Sequence, residues 1–151
     1  MDSKAIWDYP QPFTLTTRVT ADDIDGLQHT NNTVYVKWCE QVAWQHSESL
    51  GLDIASYQRL DRAMAITRSE YDYLAASREG DEVVIATWII NWDGKLTMER
   101  RFQIVRPADA RILLRGVMRF ACIELSSGKP RRMPREFIEG YSPAIINSDP
   151  N

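Results

Sequence analysis

A carboxylate and an imidazole stand four residues apart, directly before a segment that is apolar enough to be a long buried helix. Asp25 and His29 form this pair, and Asn31 and Asn32 follow at the start of the apolar segment. Free backbone N–H groups at a helix start can polarise a carbonyl oxygen. A nearby carboxylate can then attack that carbonyl or activate a water molecule beside it. These groups are the parts that acyl transfer or hydrolysis needs.

Each of these side chains also has a structural interpretation. A carboxylate such as Asp25 often closes an Asx-turn near a helix start, where negative charge is favourable. His29 either packs or caps the chain, or it orients water or substrate. Asn31 is most simply the N-cap residue of the helix, a position that Asn favours. The residues alone favour the structural interpretation of Asp25 and leave both interpretations of His29 open.

Composition restricts the classes of protein to which the chain can belong. Its 151 residues favour one domain, and 44% hydrophobic with 26% charged residues is typical of a soluble globular protein. The net charge of −3 argues against general nucleic-acid binding, which needs a basic surface. No run approaches the ~20 apolar residues of a membrane span. Because the N-terminus lacks signal-peptide features, we expect a cytoplasmic location.

The cysteine pattern argues against a metal site. Cys39 and Cys122 are the only two cysteines, and they form no Cys-x-x-Cys motif. Zinc ligation and a disulfide scaffold are therefore not expected, and two buried thiols are the simpler interpretation.

Hydrophobic periodicity predicts one long helix among several strands. Apolar residues recur at three- and four-residue steps over 31–50, with Gly51 as a C-terminal stop. A period of two marks the strands, and Asp93-Gly94 is a hairpin signal. Shorter helices are predicted at 53–60 and 134–140. The predicted strands cover residues 13–20, 64–74, 81–92, 96–106 and 111–125.

An antiparallel sheet wrapped around one buried helix is the simplest arrangement that buries these elements, so the predicted class is α+β. Short connections between the four later strands predict an antiparallel meander. Val83 to Ile90 is apolar on both faces, as expected for a strand covered on two sides. We predict an irregular lead-in over 1–12, one domain over 13–141 and a flexible tail over 142–151.

The segment 23–35 resembles the hotdog-fold thioesterases of the 4-hydroxybenzoyl-CoA thioesterase family. That family typically shows Asp-x-Asp-x-x-Gly-His-x-Asn-Asn-x-x-Tyr before its central helix. Gln28 stands where Gly is usual, and Gln-His-x-Asn-Asn is similar to long-chain acyl-CoA thioesterases and plastid acyl-carrier-protein thioesterases. Weaker similarities extend the resemblance from about residue 15 to residue 137. The matching positions of the motif are Asp23, Asp25, His29, Asn31, Asn32 and Tyr35.

The resemblance implies a hotdog fold and an acyl-CoA thioesterase that acts on a fatty or aromatic acyl-CoA. It implies that the backbone N–H of Asn32 holds the thioester carbonyl and that Asp25 is the nucleophile or the general base. His29 would orient water or substrate, or donate to the thioester oxygen. The resemblance also implies a homodimer or a tetramer of dimers with active sites at the dimer interface. No metal or redox cofactor is needed.

Two further groups are candidates for supporting roles. Glu40 lies on the more polar side of the helix, where an exposed carboxylate is expected, although some hotdog enzymes carry a catalytic Glu on this helix. A cluster of cations is either a solvated turn or a set of contacts for coenzyme A phosphates, with Arg115 and Arg119 as alternatives. The cluster comprises Lys129, Arg131, Arg132 and Arg135.

Two other functions stay open at this point. One is a hotdog enoyl-thioester hydratase, although the Asn-Asn helix start argues against it. The other is a non-catalytic module that binds acyl thioesters, because a fold does not fix a function. The acyl chain and the choice between coenzyme A and an acyl carrier protein are equally open. No nucleic-acid or membrane partner is expected.

Overall fold

Five antiparallel strands form one sheet in the computed structural model, which describes residues 6–146. Their order across the sheet is β1-β3-β4-β5-β2. Every predicted helix and strand is present, with bounds within two residues of those expected. In chain order the strands are β1 (Phe13–Arg18), β2 (Arg62–Tyr73), β3 (Glu82–Ile90), β4 (Thr97–Arg106) and β5 (Arg111–Glu124). The helices are α1 (Asn32–Ser49), α2 (Ile54–Leu60) and α3 (Arg135–Tyr141).

Local capping sets both ends of α1. Asn31 has extended backbone angles, and its side chain accepts a hydrogen bond from the N–H of Thr33 at 2.9 Å. The helix ends before Gly51, whose φ of +82° is a left-handed conformation that glycine adopts at little cost. Among residues 6–146, no helix is both long and apolar enough to cross a membrane.

The core lies between α1 and the inner face of the sheet. The buried face of α1 carries Tyr35, Trp38, Cys39 and Val42. Each large apolar side chain that is removed from water contributes about 1.5–3 kcal/mol to folding. The predicted sheet around one long helix is therefore confirmed. The sheet residues in this core cluster include Val83, Ile85, Ile89, Phe102, Ile104, Leu114 and Met118.

Strand β2 lies beside β5 and not beside β3, which corrects the predicted meander of four strands. Met64 pairs with Cys122, and Tyr73 pairs with Leu114. Only β3, β4 and β5 follow one another across the sheet. The connection 74–81 is eight residues long, so it is not a tight turn and does not force β2 and β3 to be neighbours. Strand β2 is consequently an edge strand.

Both described ends of the chain cover the outer face of the sheet. Trp7 and Tyr9 pack on Trp88, whose Nε1–H donates to the Pro10 carbonyl oxygen at 2.9 Å. Residues 6–12 of the predicted lead-in therefore cover β3 from outside, as its two apolar faces predicted. Residues 1–5 of the lead-in lie outside the described residues.

The first part of the predicted tail is ordered against the same face. Ser142–Ala144 form a 3-10 turn. The N–H of Ile146 then donates to the carbonyl oxygen of Ile89 at 3.1 Å. The flexible tail predicted from residue 142 is therefore wrong for residues 142–146, because Ile146 packs on the apolar cluster around Trp88. Residues 147–151 lie outside the described residues.

Both cysteines are buried free thiols, as predicted. Burial raises the pKa of Cys39 far above its ordinary value, and burial raises the pKa of Cys122 to about 11. Both side chains therefore remain thiols at neutral pH, which argues against a nucleophilic role.

Candidate active site

A closed turn presents Asp25 and His29 at the start of α1. The N–H of Asp25 donates to the carbonyl oxygen of His29 at 2.8 Å, and Ile24 pairs with Thr30 in an antiparallel bridge. Oδ1 of Asp25 accepts hydrogen bonds from the N–H of Leu27 at 2.8 Å and of His29 at 3.3 Å. This is the Asx-turn that the structural interpretation predicts. It occupies one carboxylate oxygen and leaves Oδ2 for a substrate or a water molecule.

Gln28 occupies the position in this turn where the family motif has glycine. Its φ is +65°, in the left-handed region that costs an L-residue roughly 1–2 kcal/mol. The N–H of Gln28 donates to the carbonyl oxygen of Asp25 at 3.1 Å, which helps to hold that conformation. Gln28 thus adopts a backbone conformation that glycine adopts at lower cost.

Three buried hydroxyl groups fasten the turn to the connection between β2 and β3. Oγ of Ser77 lies 2.7 Å from Oγ1 of Thr30 and 2.7 Å from the hydroxyl oxygen of Tyr35. The N–H of Thr30 also donates to the carbonyl oxygen of Ser77 at 2.9 Å. Ser77 is fully buried, so these hydrogen bonds are sheltered from water. They fix the wall of the site relative to Asp25.

The start of α1 includes a backbone donor that is available to a ligand. The side chain of Asn31 accepts from the N–H of Thr33, and its carbonyl oxygen accepts from the N–H of Val34 at 2.9 Å. Within the described part of the chain, the N–H of Asn32 has no acceptor. As the first helical residue, Asn32 lies at the positive end of the helix dipole. This N–H can therefore bind an external oxygen.

These groups line one cavity of about 440 Å³ at the N-terminal end of α1. The structure thus brings together four residues that the sequence singled out: Asp25, His29, Asn31 and Asn32. The opposite wall comes from residues 73–76, at the end of β2 and the start of the connection that follows it. The rim is apolar and strongly exposed at Leu27, Tyr73 and Leu74.

Glu40 does not join this group within one chain. It lies eight residues beyond Asn32, a rise of about 12 Å along α1. Its exposed side chain lines a different cavity, together with Trp44 and Arg100. Glu40 is therefore too far from Asp25 of the same chain to act beside it.

The predicted coenzyme A contacts also lie far from Asp25 of the same chain. Arg131 forms an ion pair with Glu124. Glu124 is paired across the sheet with Arg62, which is the first residue of β2. The cavity is at the last residue of β2. At the rise per residue of an extended strand, this residue lies roughly 35 Å from the first residue of β2. All three candidates of this loop are exposed: Lys129, Arg131 and Arg132.

The two alternative arginines are already paired with carboxylates. Arg115 contacts both carboxylate oxygens of Asp8 at 2.7 and 3.0 Å. Arg119 donates to Oε1 of Glu99 at 3.2 Å. Their positive charges are partly compensated, as is that of Arg131, whereas Lys129 and Arg132 form no ion pair within residues 6–146.

The sequence did not reveal the site residues that are far from Asp25 along the chain. Ser77 and residues 73–76 stand more than forty positions after Asp25, and no local pattern connects them with it. Arg100 was also missed, although a signal was present. It shares its strand face with Met98 and Phe102, so alternation places it inside the protein.

The sheet wrapped around α1, with a polar cavity at the helix start, defines a hotdog protein of the thioesterase class. The chain belongs to the Thioesterase-like superfamily, whose family model matches residues 19–140. The family resemblance drawn from residues 23–35 is therefore confirmed.

One curated protein is similar to part of the chain. Protein THEM6 of Danio rerio is 29% identical over 86 residues, which cover 56% of this chain and 42% of the zebrafish protein. The match thus spans less than half of that curated relative.

Solved structures confirm the fold. Slr0204, a 1,4-dihydroxy-2-naphthoyl-CoA thioesterase from Synechocystis, superimposes with a TM-score of 0.78 at 19% identity, covering 87% of this chain and 96% of that one. SAV2348 from Staphylococcus aureus, solved in complex with CoA, gives a TM-score of 0.81 at 19% identity, covering 91% and 87%. YbaW from Escherichia coli, a probable thioesterase, gives 0.74 at 17% identity, covering 89% and 99%.

Proposed function

We propose that the chain hydrolyses acyl-CoA thioesters in the cavity at the start of α1, with a fatty or aromatic acyl group. One observation supports this proposal above the others. Among the contacts of residues 6–146, Asp25 keeps a free carboxylate oxygen and Asn32 keeps a backbone N–H without an acceptor, and both residues line the same cavity. A thioester needs a group that attacks or activates water and a donor for its carbonyl oxygen.

The proposed reaction begins with the thioester carbonyl oxygen at the N–H of Asn32. The helix dipole and this donor stabilise the negative charge that develops on the oxygen as the carbonyl carbon becomes tetrahedral. The reaction as proposed needs no metal or redox cofactor, because the polarisation of the carbonyl comes from the backbone.

Two routes from this complex fit the same geometry. In one, Oδ2 of Asp25 attacks the carbonyl carbon, the C–S bond breaks with release of the coenzyme A thiolate, and water hydrolyses the resulting mixed anhydride. In the other, Asp25 takes a proton from a water molecule as its oxygen attacks the carbonyl carbon, and the C–S bond then breaks to give the free acid and the coenzyme A thiol. The His29 ring makes no hydrogen bond with residues 6–146, so it is available to orient that water or to donate to the thioester oxygen.

Coenzyme A is the proposed carrier of the acyl group. The structural relative SAV2348 was solved with CoA. In this chain the exposed cations at 129–132 lie at the far end of β2 from the cavity. Two copies that pair their β2 strands antiparallel would place the basic loop of one copy near the cavity of the other. The proposal therefore assigns phosphate binding to the loop of the partner.

Thiol release from a panel of short, long and aromatic acyl-CoAs tests the proposal. We expect Asp25→Asn to lose at least about 100-fold in kcat/KM while its melting temperature stays close to that of the wild type. Asp22→Asn is the matched control, since Asp22 is an exposed acid three residues away and lines no part of the cavity. Full activity in Asp25→Asn would reject the assignment. Tight acyl-CoA binding without thiol release would favour a non-catalytic binding module.

A further inference from the structure

A second cavity contains a buried arginine that has no carboxylate partner within residues 6–146. Arg100 is 1% exposed on the inner face of β4. Nη1 donates to Nδ1 of His46 at 3.0 Å, and Nη2 donates to Oγ of Ser47 at 3.2 Å. A longer contact of 3.4 Å joins Nη1 to Oγ1 of Thr87. Within residues 6–146, no Asp or Glu forms an ion pair with this guanidinium.

Among residues 6–146, no carboxylate therefore compensates the positive charge of Arg100. Burial lowers the pKa of Arg100 to about 10, so the group remains charged at neutral pH. Burial, with a smaller contribution from Arg100, lowers the pKa of His46 to about 4, so His46 is neutral and accepts through Nδ1. A buried charge that meets only neutral acceptors is unfavourable unless an anion joins it.

The cavity beside Arg100 has room for such an anion and for an apolar body. Its volume is about 130 Å³, roughly ten times what one water molecule requires. Its walls are mainly apolar and flexible in shape, because methionines contribute much of the surface. The apolar lining includes Trp44, Met64, Met98, Met118 and Phe120.

Hydroxyl groups gather at the polar end of this cavity. Oγ of Ser47 lies 3.0 Å from the hydroxyl oxygen of Tyr141, which lies 2.5 Å from that of Tyr57. Burial raises the pKa of Tyr57 far above its ordinary value, so its hydroxyl stays protonated and can donate. Together with Arg100, these groups form a donor-rich end opposite an apolar body.

We propose that this cavity is a carboxylate-binding subsite, in which an aliphatic or aromatic body fills the Met-lined walls and its carboxylate binds Arg100. The carboxylate belongs either to a free carboxylic acid or to the far end of an acyl thioester. Ser47 lies fifteen residues, about 22 Å, along α1 from Asn32. Only a long acyl group bound in the first cavity of the same chain would span that distance.

Among the described residues that line the cavity beside Arg100, Glu40 is the one carboxylate, and it is exposed at the rim. It would repel an entering carboxylate without reaching Arg100. Replacing it therefore gives a second, independent test that does not disturb the buried network.

Direct binding tests the subsite without any catalysis. Calorimetry compares octanoate with octan-1-ol, which has the same chain length and no charge. We expect the wild type to bind octanoate roughly 10- to 100-fold more tightly than octanol, the range for a hydrogen bond to a charged group. Arg100→Met should abolish this preference, and Arg100→Lys should retain part of it. Arg101→Met is the matched control, because Arg101 is the next residue on the strand and does not line the cavity.

Glu40→Gln should tighten octanoate binding several-fold without changing octanol binding. This variant keeps the proposal testable if Arg100→Met does not fold, which its melting curve would reveal. Equal affinity of the wild type for octanoate and octanol would overturn the proposal. Survival of the preference in folded Arg100→Met would overturn it as well.

The source of the carboxylate is distinguished by turnover, and this arm alone rests on the proposed function. An acyl-CoA with a terminal carboxylate is compared with an unsubstituted acyl-CoA of equal length, over several lengths. A higher kcat/KM for the carboxylated substrate that is lost in Arg100→Met identifies the acyl group as the source. Equal kcat/KM values, combined with octanoate binding, identify a free acid. Absence of any turnover would refute the proposed hydrolysis while leaving the binding result intact.

Discussion

The N–H of Asp25 donates to the carbonyl oxygen of His29 at 2.8 Å, so the two candidate catalytic side chains leave opposite ends of one closed turn. Because the turn ends two residues before the N-cap of α1, the positions of both side chains depend on the helix start. The acid, the imidazole and the backbone donor are thus held by one continuous segment. Precise placement of this kind is what catalysis at a carbonyl requires.

Ser77 should be essential for the rigidity of this segment. Ser77→Ala removes the Oγ that Thr30 and Tyr35 share. Oγ1 of Thr30 still donates to the carbonyl oxygen of residue 77 at 3.2 Å, but the buried Tyr35 hydroxyl loses its partner, which costs about 1–3 kcal/mol of unfolding free energy. Urea denaturation measures the loss. We also expect kcat to fall, because the cavity wall moves relative to Asp25. Ser69→Ala is a suitable control, since Ser69 is exposed on β2. Wild-type stability and turnover in Ser77→Ala would contradict this anchoring role.

Gln28→Gly should leave the enzyme active and at least as stable as the wild type. Glycine removes the strain of a φ of +65°, which raises the unfolding free energy by roughly 1–2 kcal/mol. Glycine also makes the unfolded chain more flexible, which lowers the unfolding free energy by about 0.5–1 kcal/mol. Gln28→Val should be clearly destabilised, because a β-branched residue is strained there. Thermal melting of the three proteins checks the order. A less stable Gln28→Gly would show that the Gln side chain itself supports the turn.

The stability of the protein should decrease as the pH falls from about 6.5 toward 4. His46 of the unfolded chain takes up a proton near pH 6.5, whereas burial holds its pKa at about 4 in the folded protein. The folded state is therefore favoured above pH 6.5, and this contribution is lost progressively as the pH falls to 4. Urea unfolding at several pH values gives the unfolding free energy as a function of pH. Between pH 4 and 6.5 this free energy should change less steeply with pH for His46→Gln than for the wild type. Identical slopes for His46→Gln and wild type would exclude His46 as the cause.

The oligomeric state should be a homodimer or a tetramer of dimers formed through β2. This edge strand leaves one side unpaired, and Ile66 and Tyr73 on it are 47% and 44% exposed. Light scattering behind a sizing column should give two or four times the 17.4 kDa mass of the chain. A monomer at working concentration would contradict the proposal that the basic loop of a partner completes the site.

Local signals predicted most of the fold. The apolar period of α1, the cap at Asn31 and the stop at Gly51 are each decided within a few residues, so the sequence reveals them. The placement of β2 beside β5 is decided by pairing across the whole sheet, for which short-range patterns carry no information. The expectation of a meander failed for that reason.

The same distinction applies to the site. Asp25, His29, Asn31 and Asn32 are contiguous, and the family motif identified them together. Ser77 reaches the site only through the folded chain. The buried charge of Arg100 becomes significant only when its partners are seen to be neutral. Sequence alone predicts the two faces of a strand but not what a buried charged residue meets.

The central claim is that the N–H of Asn32 polarises the thioester carbonyl, and Asn32→Pro tests it directly. Proline removes this N–H, yet it is favoured at the first helical position, and the backbone of Asn31, with φ −61° and ψ 135°, accepts a following proline. Asn32→Ala is the control, because it removes the same side chain and keeps the N–H.

The measurement is kcat for thiol release from the best acyl-CoA by these two variants and the wild type. We predict that Asn32→Pro loses about 100- to 1000-fold while Asn32→Ala stays within about threefold, with similar melting temperatures. Equal rates for the proline and alanine variants would contradict the proposed role of this backbone donor.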